Sequence, residues 1–99
     1  MSKYTLIVKY LKAFEAELDE NQEMCIKFPD YETSFLLQST ITGGDDFIAF
    51  ELLSDKGEKI SVIQSYSQLN FAITSRSKPI ADKPARRVGF IAKTDDFEL

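Results

Sequence analysis

The chain contains no histidine, no tryptophan and only one cysteine, Cys25. The absence of histidine excludes Ser–His and Cys–His catalytic pairs and removes a frequent ligand of zinc sites. The glycine patterns of P-loop and dinucleotide-binding sites are absent as well. A lone cysteine forms no internal disulfide, which is typical of reducing compartments. We therefore expect a cytoplasmic protein with no cofactor, no metal site and no catalytic residue of a known motif.

Positive charge is also scarce. Lysine and arginine together number 12, against 16 aspartates and glutamates, and the formal net charge is −4. Non-specific binding to nucleic acid or to an anionic membrane requires the opposite balance. The apolar stretch near the N-terminus is interrupted by Lys9 and Lys12, which fits neither a signal peptide nor a membrane-spanning helix. We expect no nucleic-acid and no membrane partner.

The apolar content is ordinary for a globular protein, at 43% of the residues, and it includes eight phenylalanines and four tyrosines. The chain has no internal repeat and no low-complexity tract. Its length of 99 residues suits one folding unit. We expect a single domain over residues 1–99, with residues 94–99 as a frayed acidic tail.

One helix is predicted at the N-terminus, over residues 3–20, with Ser2 as its N-cap. Apolar residues recur there at intervals of three and four, which is the helical period. This stripe consists of Tyr4, Ile7, Leu11, Phe14 and Leu18. The charges of the segment run against the helix dipole, so we expect packing of the stripe to stabilise the helix.

After residue 22 the apolar period changes to two, which predicts strands. We expect them at residues 24–28, 34–42, 47–54, 58–66, 69–75 and 86–93. The second strand should present Phe35, Leu37 and Ile41 on one face. "GGDD" (43–46) predicts a turn, and "DKG" (55–57) predicts a hairpin in which Gly57 adopts a positive φ.

These elements predict an α+β fold in which one N-terminal amphipathic helix packs on a mainly antiparallel, curled sheet of about six strands. Six side chains should share its core: Phe14, Leu18, Phe50, Val62, Phe71 and Phe90. A helix is about 10 Å wide, while six strands at about 4.8 Å spacing form a wider sheet. The uncovered part of the sheet must curl, bind a partner or remain exposed.

A basic stretch near the C-terminus is the main candidate site. It consists of Arg76, Lys78, Lys83, Arg86 and Arg87. Arginine pairs suit phosphate and carboxylate groups, so this stretch predicts an anion-binding or partner-binding surface. In the alternative interpretation, Arg86 and Arg87 flank a strand start and point to opposite faces as solubilising edge charges. We prefer this second interpretation, because exposed basic residues near strand ends are common, and anion binding is the alternative.

Three other features have a structural interpretation that we prefer. Asp45 and Asp46 follow two glycines and lack the ligand spacing of an EF-hand, so they indicate a turn. Cys25 lies in an alternating apolar strand, which favours a buried structural thiol over a reactive one. The phenylalanines favour a core over base stacking, because no positive groove accompanies them.

The segments "YLKAFEAELDE", "IQSYSQLNFAI" and "KPARRVGF", in this order, resemble a family of small bacterial domains of unknown function. The resemblance spans most of the chain. It implies a single domain and carries no activity, because none of the three segments is a catalytic signature.

The function that we expect is a non-catalytic protein-interaction module, which binds another protein or a second copy of itself. The alternative is a small-ligand or anion-binding domain with the basic loop at the lip of its pocket. An enzyme that uses carboxylates and arginine ranks third. A flat apolar face would favour the first, and a deep aromatic pocket rimmed by Arg86 or Arg87 would favour the second.

Overall fold

One helix packs on an antiparallel sheet in a computed structural model that describes residues 2–78 and 84–90, the last two by their backbone alone. The elements are α1 (Lys3–Ala16), β1 (Gln22–Lys27), β2 (Phe35–Gly43), β3 (Phe47–Leu53), β4 (Lys59–Ser65), β5 (Ala72–Ser77) and β6 (Gly89–Phe90). A short 3₁₀ turn at Tyr66–Gln68 links β4 to β5. The predicted α+β class is confirmed.

Five strands form the antiparallel sheet, in the order β4-β3-β2-β1-β5. The sixth predicted strand, residues 86–93, contributes only β6, which pairs in parallel with β2; residues 91–93 lie outside the described part of the chain. β1 pairs with β5 along its whole length, from Gln22 opposite Ser77 to Lys27 opposite Ala72. Within the described residues the sheet is not closed, because β4 and β5 form its two ends.

The helix begins as predicted and ends earlier than predicted. Ser2 is the N-cap, and its Oγ accepts the N–H of Thr5 at 3.1 Å. The helix ends at Ala16 instead of residue 20. Asp19 competes with helical bonding there, since its Oδ1 accepts the Asn21 N–H at 2.8 Å in a local turn.

A β-bulge in β2 makes one predicted strand face wrong. The register of β2 against β3 shifts between Leu37 and Ser39, so the residues after the bulge reverse their faces. Thr40 and Thr42 are therefore buried among the core side chains. Ile41 points to the opposite face from Leu37, where it lies across from Ala49.

Both predicted turns are present. In the β3–β4 hairpin, the Ser54 N–H donates to the Glu58 carbonyl oxygen at 2.9 Å, and Gly57 has a φ of 81°. In the β2–β3 turn, Gly44 has a φ of 70°. Glycine adopts such angles without the steric cost that other residues incur.

The core lies between α1 and the sheet, and its centre is aromatic. The ring of Phe50 lies 5.3 Å from that of Phe28 and 5.1 Å from that of Phe71, both in edge-to-face geometry. Of the six predicted core residues, Phe50 and Val62 are buried, while Phe14, Leu18 and Phe71 are partly buried and pack against them. The side chain of Phe90 lies outside the described part. No helix within the described ranges has the length and apolar character to cross a membrane.

Candidate functional site

Arg76, the first of the predicted basic residues, belongs to an ion pair on the sheet. It lies on β5 directly opposite Glu23 of β1. Its Nε is 3.5 Å from Glu23 Oε1, and one terminal nitrogen, Nη1, is 3.0 Å from Asp55 Oδ1. Only 3% of the Glu23 side chain is exposed, compared with 78% of Asp55. The Arg76 guanidinium therefore compensates a buried carboxylate.

The buried carboxylate of Glu23 also binds the C-terminal part of the described chain. Its Oε2 accepts the Arg86 N–H at 2.7 Å. Its Oε1 lies at ion-pair distance from Arg76 Nε but has no hydrogen-bond partner, and neither has that Nε. One carboxylate oxygen thus has a short charge-assisted bond to backbone, and the other has an electrostatic partner only.

Residues 84–90, which we call the strap, are held by side chains as well as by the sheet. The Val88 N–H donates to Glu15 Oε2 at 2.9 Å. The Arg87 guanidinium donates to the carbonyl oxygens of Gln22 at 2.8 Å and Asp19 at 3.1 Å. These contacts fix the strap against the turn that joins α1 to β1.

The two neighbouring arginines make different contacts. The hydrogen bonds of Arg87 go to main-chain carbonyl oxygens, including that of Arg86 at 3.1 Å, while the Arg86 side chain is exposed. Together with Leu37 and Gln38 they line a cleft of about 140 Å³ that contains no aromatic side chain. Both arginines precede β6, so they do not open a strand at residue 86.

Within the described chain, the four basic residues of this stretch contact neighbouring positions at the start of β1, from Asn21 to Glu23. Arg76 lies on the sheet, and Arg87 lies at the α1–β1 turn. Lys78 follows β5, and its N–H donates to the Asn21 carbonyl oxygen at 2.8 Å. Lys83 lies outside the described residues. Anion binding by this stretch stays a prediction.

Sequence reasoning missed Glu15 and Glu23, the two carboxylates that bind the strap. Glu15 looks like an ordinary exposed residue of an amphipathic helix. Glu23 lies beside buried Met24 and Cys25 at the start of a strand, and a charged residue so placed is the one signal that the sequence carries.

Cys25 is a buried thiol on the same face of the sheet as Glu23 and Arg76. Burial raises its pKa above the usual 9.0, and the positive charge of Arg76 offsets part of this rise. The thiol is therefore protonated at neutral pH, and access to it is blocked because 2% of the residue is exposed. This environment fits a structural cysteine.

A second feature is the free edge of β5. Lys78 and Asn21 lie next to the last pair of the β1–β5 ladder, Gln22 and Ser77, and the Lys78 N–H donates to the Asn21 carbonyl oxygen. In an antiparallel ladder every second pair of residues is hydrogen-bonded, and the main-chain groups of the pairs between them point outward. The N–H and C=O groups of Ile73, Ser75 and Ser77 therefore point away from β1. Within residues 2–78 and 84–90, no strand pairs with this edge.

An apolar groove runs beside this edge, between α1 and β5. Its volume is about 360 Å³, and it is lined by Leu6, Ile7, Tyr10, Leu11, Phe71 and Ile73. Two of these side chains are unusually exposed for their type, Leu6 at 57% and Tyr10 at 74%. We call this feature the α1–β5 groove.

No group of three or more acidic or cysteine side chains in the described part is arranged to hold a metal ion. Comparisons with protein-family models, with curated proteins and with solved structures found no match to this chain. The resemblance to small bacterial domains stays an expectation from the sequence.

Proposed function

We propose that this chain is a non-catalytic protein-interaction module that binds an extended segment of another chain along β5. The observation that carries the proposal is the outer edge of β5, which no strand of the described residues pairs with, beside the α1–β5 groove. An incoming strand would bond to the outward main-chain groups of Ile73 and Ser75, as in recognition by strand addition.

The groove defines the chemistry of that segment. Ile73 lies opposite Ile26 and points to the helix side of the sheet. Alternate side chains of an added strand would point to the same side, where Leu6 and Tyr10 provide an apolar surface. We therefore expect a segment with apolar residues at every second position.

The geometry near the arginines gives less support to the alternative function. The cleft at Arg86 and Arg87 is small and has no aromatic lining. The hydrogen bonds of Arg87 already go to carbonyl oxygens. The deep aromatic pocket that would favour a ligand-binding domain does not occur at this cleft.

Two properties of the chain support the setting that we infer for this function. Its lone cysteine is buried, which suits a reducing cytoplasm. Its net charge of −4 favours a protein partner over nucleic acid. A bacterial source follows only from the sequence resemblance.

Ser75→Pro tests the proposed edge. Proline removes an outward N–H and leaves the bonds to β1 in place, and edge strands tolerate it there. Ser61→Pro is the matched control on β4, the other end of the sheet. Main-chain bonds between Ser54 and Glu58 and between Tyr66 and Asp46 lie at the two ends of the β3–β4 ladder. Because every second pair of an antiparallel ladder is hydrogen-bonded, the Ser61 N–H points to the outer side of β4.

Wild-type protein and both variants would be immobilised and exposed to extract of the source organism, and self-association would be measured by sedimentation at micromolar concentration. We expect the wild type and Ser61→Pro to bind the same partner or to self-associate, and Ser75→Pro to lose that binding. Tyr10→Ser should weaken it through the groove. The proposal would be contradicted if the wild type is a monomer and captures from the extract the same proteins as Ser75→Pro.

A further inference from the structure

One edge of β2 is shared by two different strands. β1 pairs with its first residues, Phe35 and Leu36. β6 pairs in parallel with Ser39 and Thr40, beyond the bulge. The strap therefore lies in a gap that opens where β1 and β2 diverge, which we call the fork.

The fork presents carboxylates to the strap in a regular arrangement. Glu23 accepts the N–H of Arg86, and Glu15 accepts the N–H of Val88. N–H groups two residues apart point in the same direction in an extended chain. The two acceptors bind amides two residues apart in the strap, which is the spacing that an extended backbone would present, and they do so independently of its side chains.

The residue between these two amides provides the specificity. Arg87 extends to the carbonyl oxygens of Asp19 and Gln22, which lie between α1 and β1. The planar guanidinium offers several fixed donors, and lysine does not reproduce this geometry. The fork therefore recognises an extended segment with arginine at its centre.

The fork also requires an occupant. Without the strap, Glu23 Oε2 would lose its 2.7 Å bond, and Oε1 has no hydrogen bond to compensate. A buried carboxylate without hydrogen-bond donors is costly. We therefore expect the strap to leave the fork mainly when another segment takes its place.

We propose that the fork is a peptide-binding site that the chain fills with its own strap, and that an extended, arginine-centred segment of a partner protein displaces the strap. This site is separate from the β5 edge. The strap competes as an intramolecular ligand, whose effective concentration is on the order of millimolar for short linkers. The strap thus limits binding to segments that carry the same pattern.

The test uses a labelled peptide with the sequence of residues 84–90, PARRVGF, and fluorescence anisotropy. Full-length Arg87→Ala removes the two bonds from the strap to the α1–β1 turn and leaves the residues of the fork unchanged. We expect the weakened strap to be displaced more easily, so this variant should bind the peptide at least about tenfold more tightly than wild type. Arg86→Ala is the matched control, because the Arg86 side chain is exposed and only its N–H contacts Glu23. It should bind as weakly as wild type.

A peptide in which alanine replaces the second arginine should not bind to Arg87→Ala protein. Circular dichroism would establish that the variant is folded. If the variant is not folded, Val88→Pro replaces it. This change removes the amide that Glu15 accepts, together with a side chain that packs at the rim of the core. Equal binding of the peptide by the strap-releasing variant and by Arg86→Ala would overturn the proposal, as would equal binding of both peptides.

Discussion

The hydroxyl of Tyr4 donates to the carbonyl oxygen of Thr40 at 3.0 Å and lies 2.9 Å from the Thr40 Oγ1. Tyr4 is in the first turn of α1, and Thr40 is in β2 just beyond the bulge. Both residues are buried. This pair ties the start of the helix to the middle of the sheet, and it exists because the bulge turns Thr40 toward the helix.

Tyr4→Phe should destabilise the protein by about 1–2 kcal/mol, because it leaves the buried Thr40 groups without a partner from the helix. Tyr10→Phe is the control, since Tyr10 is 74% exposed, and it should change stability by less than about 0.5 kcal/mol. Urea unfolding measures both. Equal effects would mean that the Tyr4 hydroxyl adds nothing to stability.

Phe50→Ala should reduce the free energy of unfolding by roughly 3–5 kcal/mol, the usual range for a buried phenylalanine. Phe71→Ala should cost less, because Phe71 is only partly buried at the rim of the core. Chemical denaturation of the two variants gives the comparison. A larger loss for Phe71→Ala would contradict this order.

Arg76→Ala should destabilise the protein by about 2 kcal/mol, because it leaves Glu23 buried without its cation; partial exposure of Arg76 keeps the cost below the roughly 3–5 kcal/mol of a fully buried pair. Asp55→Asn tests the exposed end of the same network and should change stability by less than about 0.5 kcal/mol. Thermal or urea melts distinguish the two. The interpretation fails if Asp55→Asn is the more damaging change.

The stability of the wild type should fall at alkaline pH in part because of Cys25. Burial raises the pKa of this thiol in the folded state above 9.0, so the unfolded chain loses its thiol proton at a lower pH than the folded protein. The contribution of the Cys25 thiol to the free energy of unfolding is complete below the pKa of the unfolded chain. It is lost as the pH rises through the pKa of the folded protein. Tyr66 has a raised pKa as well, and Cys25→Ala isolates the thiol.

Unfolding free energies of wild type and Cys25→Ala, measured from about pH 8 to about pH 10, check this prediction. We expect a steeper decline in the wild type. Parallel curves would show that the thiol has the same pKa in the folded and unfolded states.

The helix and the hairpins could be predicted because their signals are local. The stripe from Tyr4 to Phe14 has the helical period, and Gly57 marks a turn by its own backbone freedom. The bulge after Leu37 could not be predicted, because the residues around it alternate normally and the shift exists only relative to β3. The role of Arg87 was equally hidden, since its acceptors at Asp19 and Gln22 are remote in sequence.

The pairing of β1 with β5 has a consequence for folding. Short turns connect β2 to β3 and β3 to β4, so each of these pairs is made by strands adjacent in sequence. By contrast, Gln22 of β1 and Ser77 of β5 are separated in sequence by most of the described chain. Closing so long a loop costs more entropy than closing a hairpin, and such contacts form late. The meander of β2 to β4 should therefore assemble first, and β5 should join last. The strand whose edge we propose as the docking surface is thus also the one whose backbone amides should exchange with solvent most readily by partial opening of the native state.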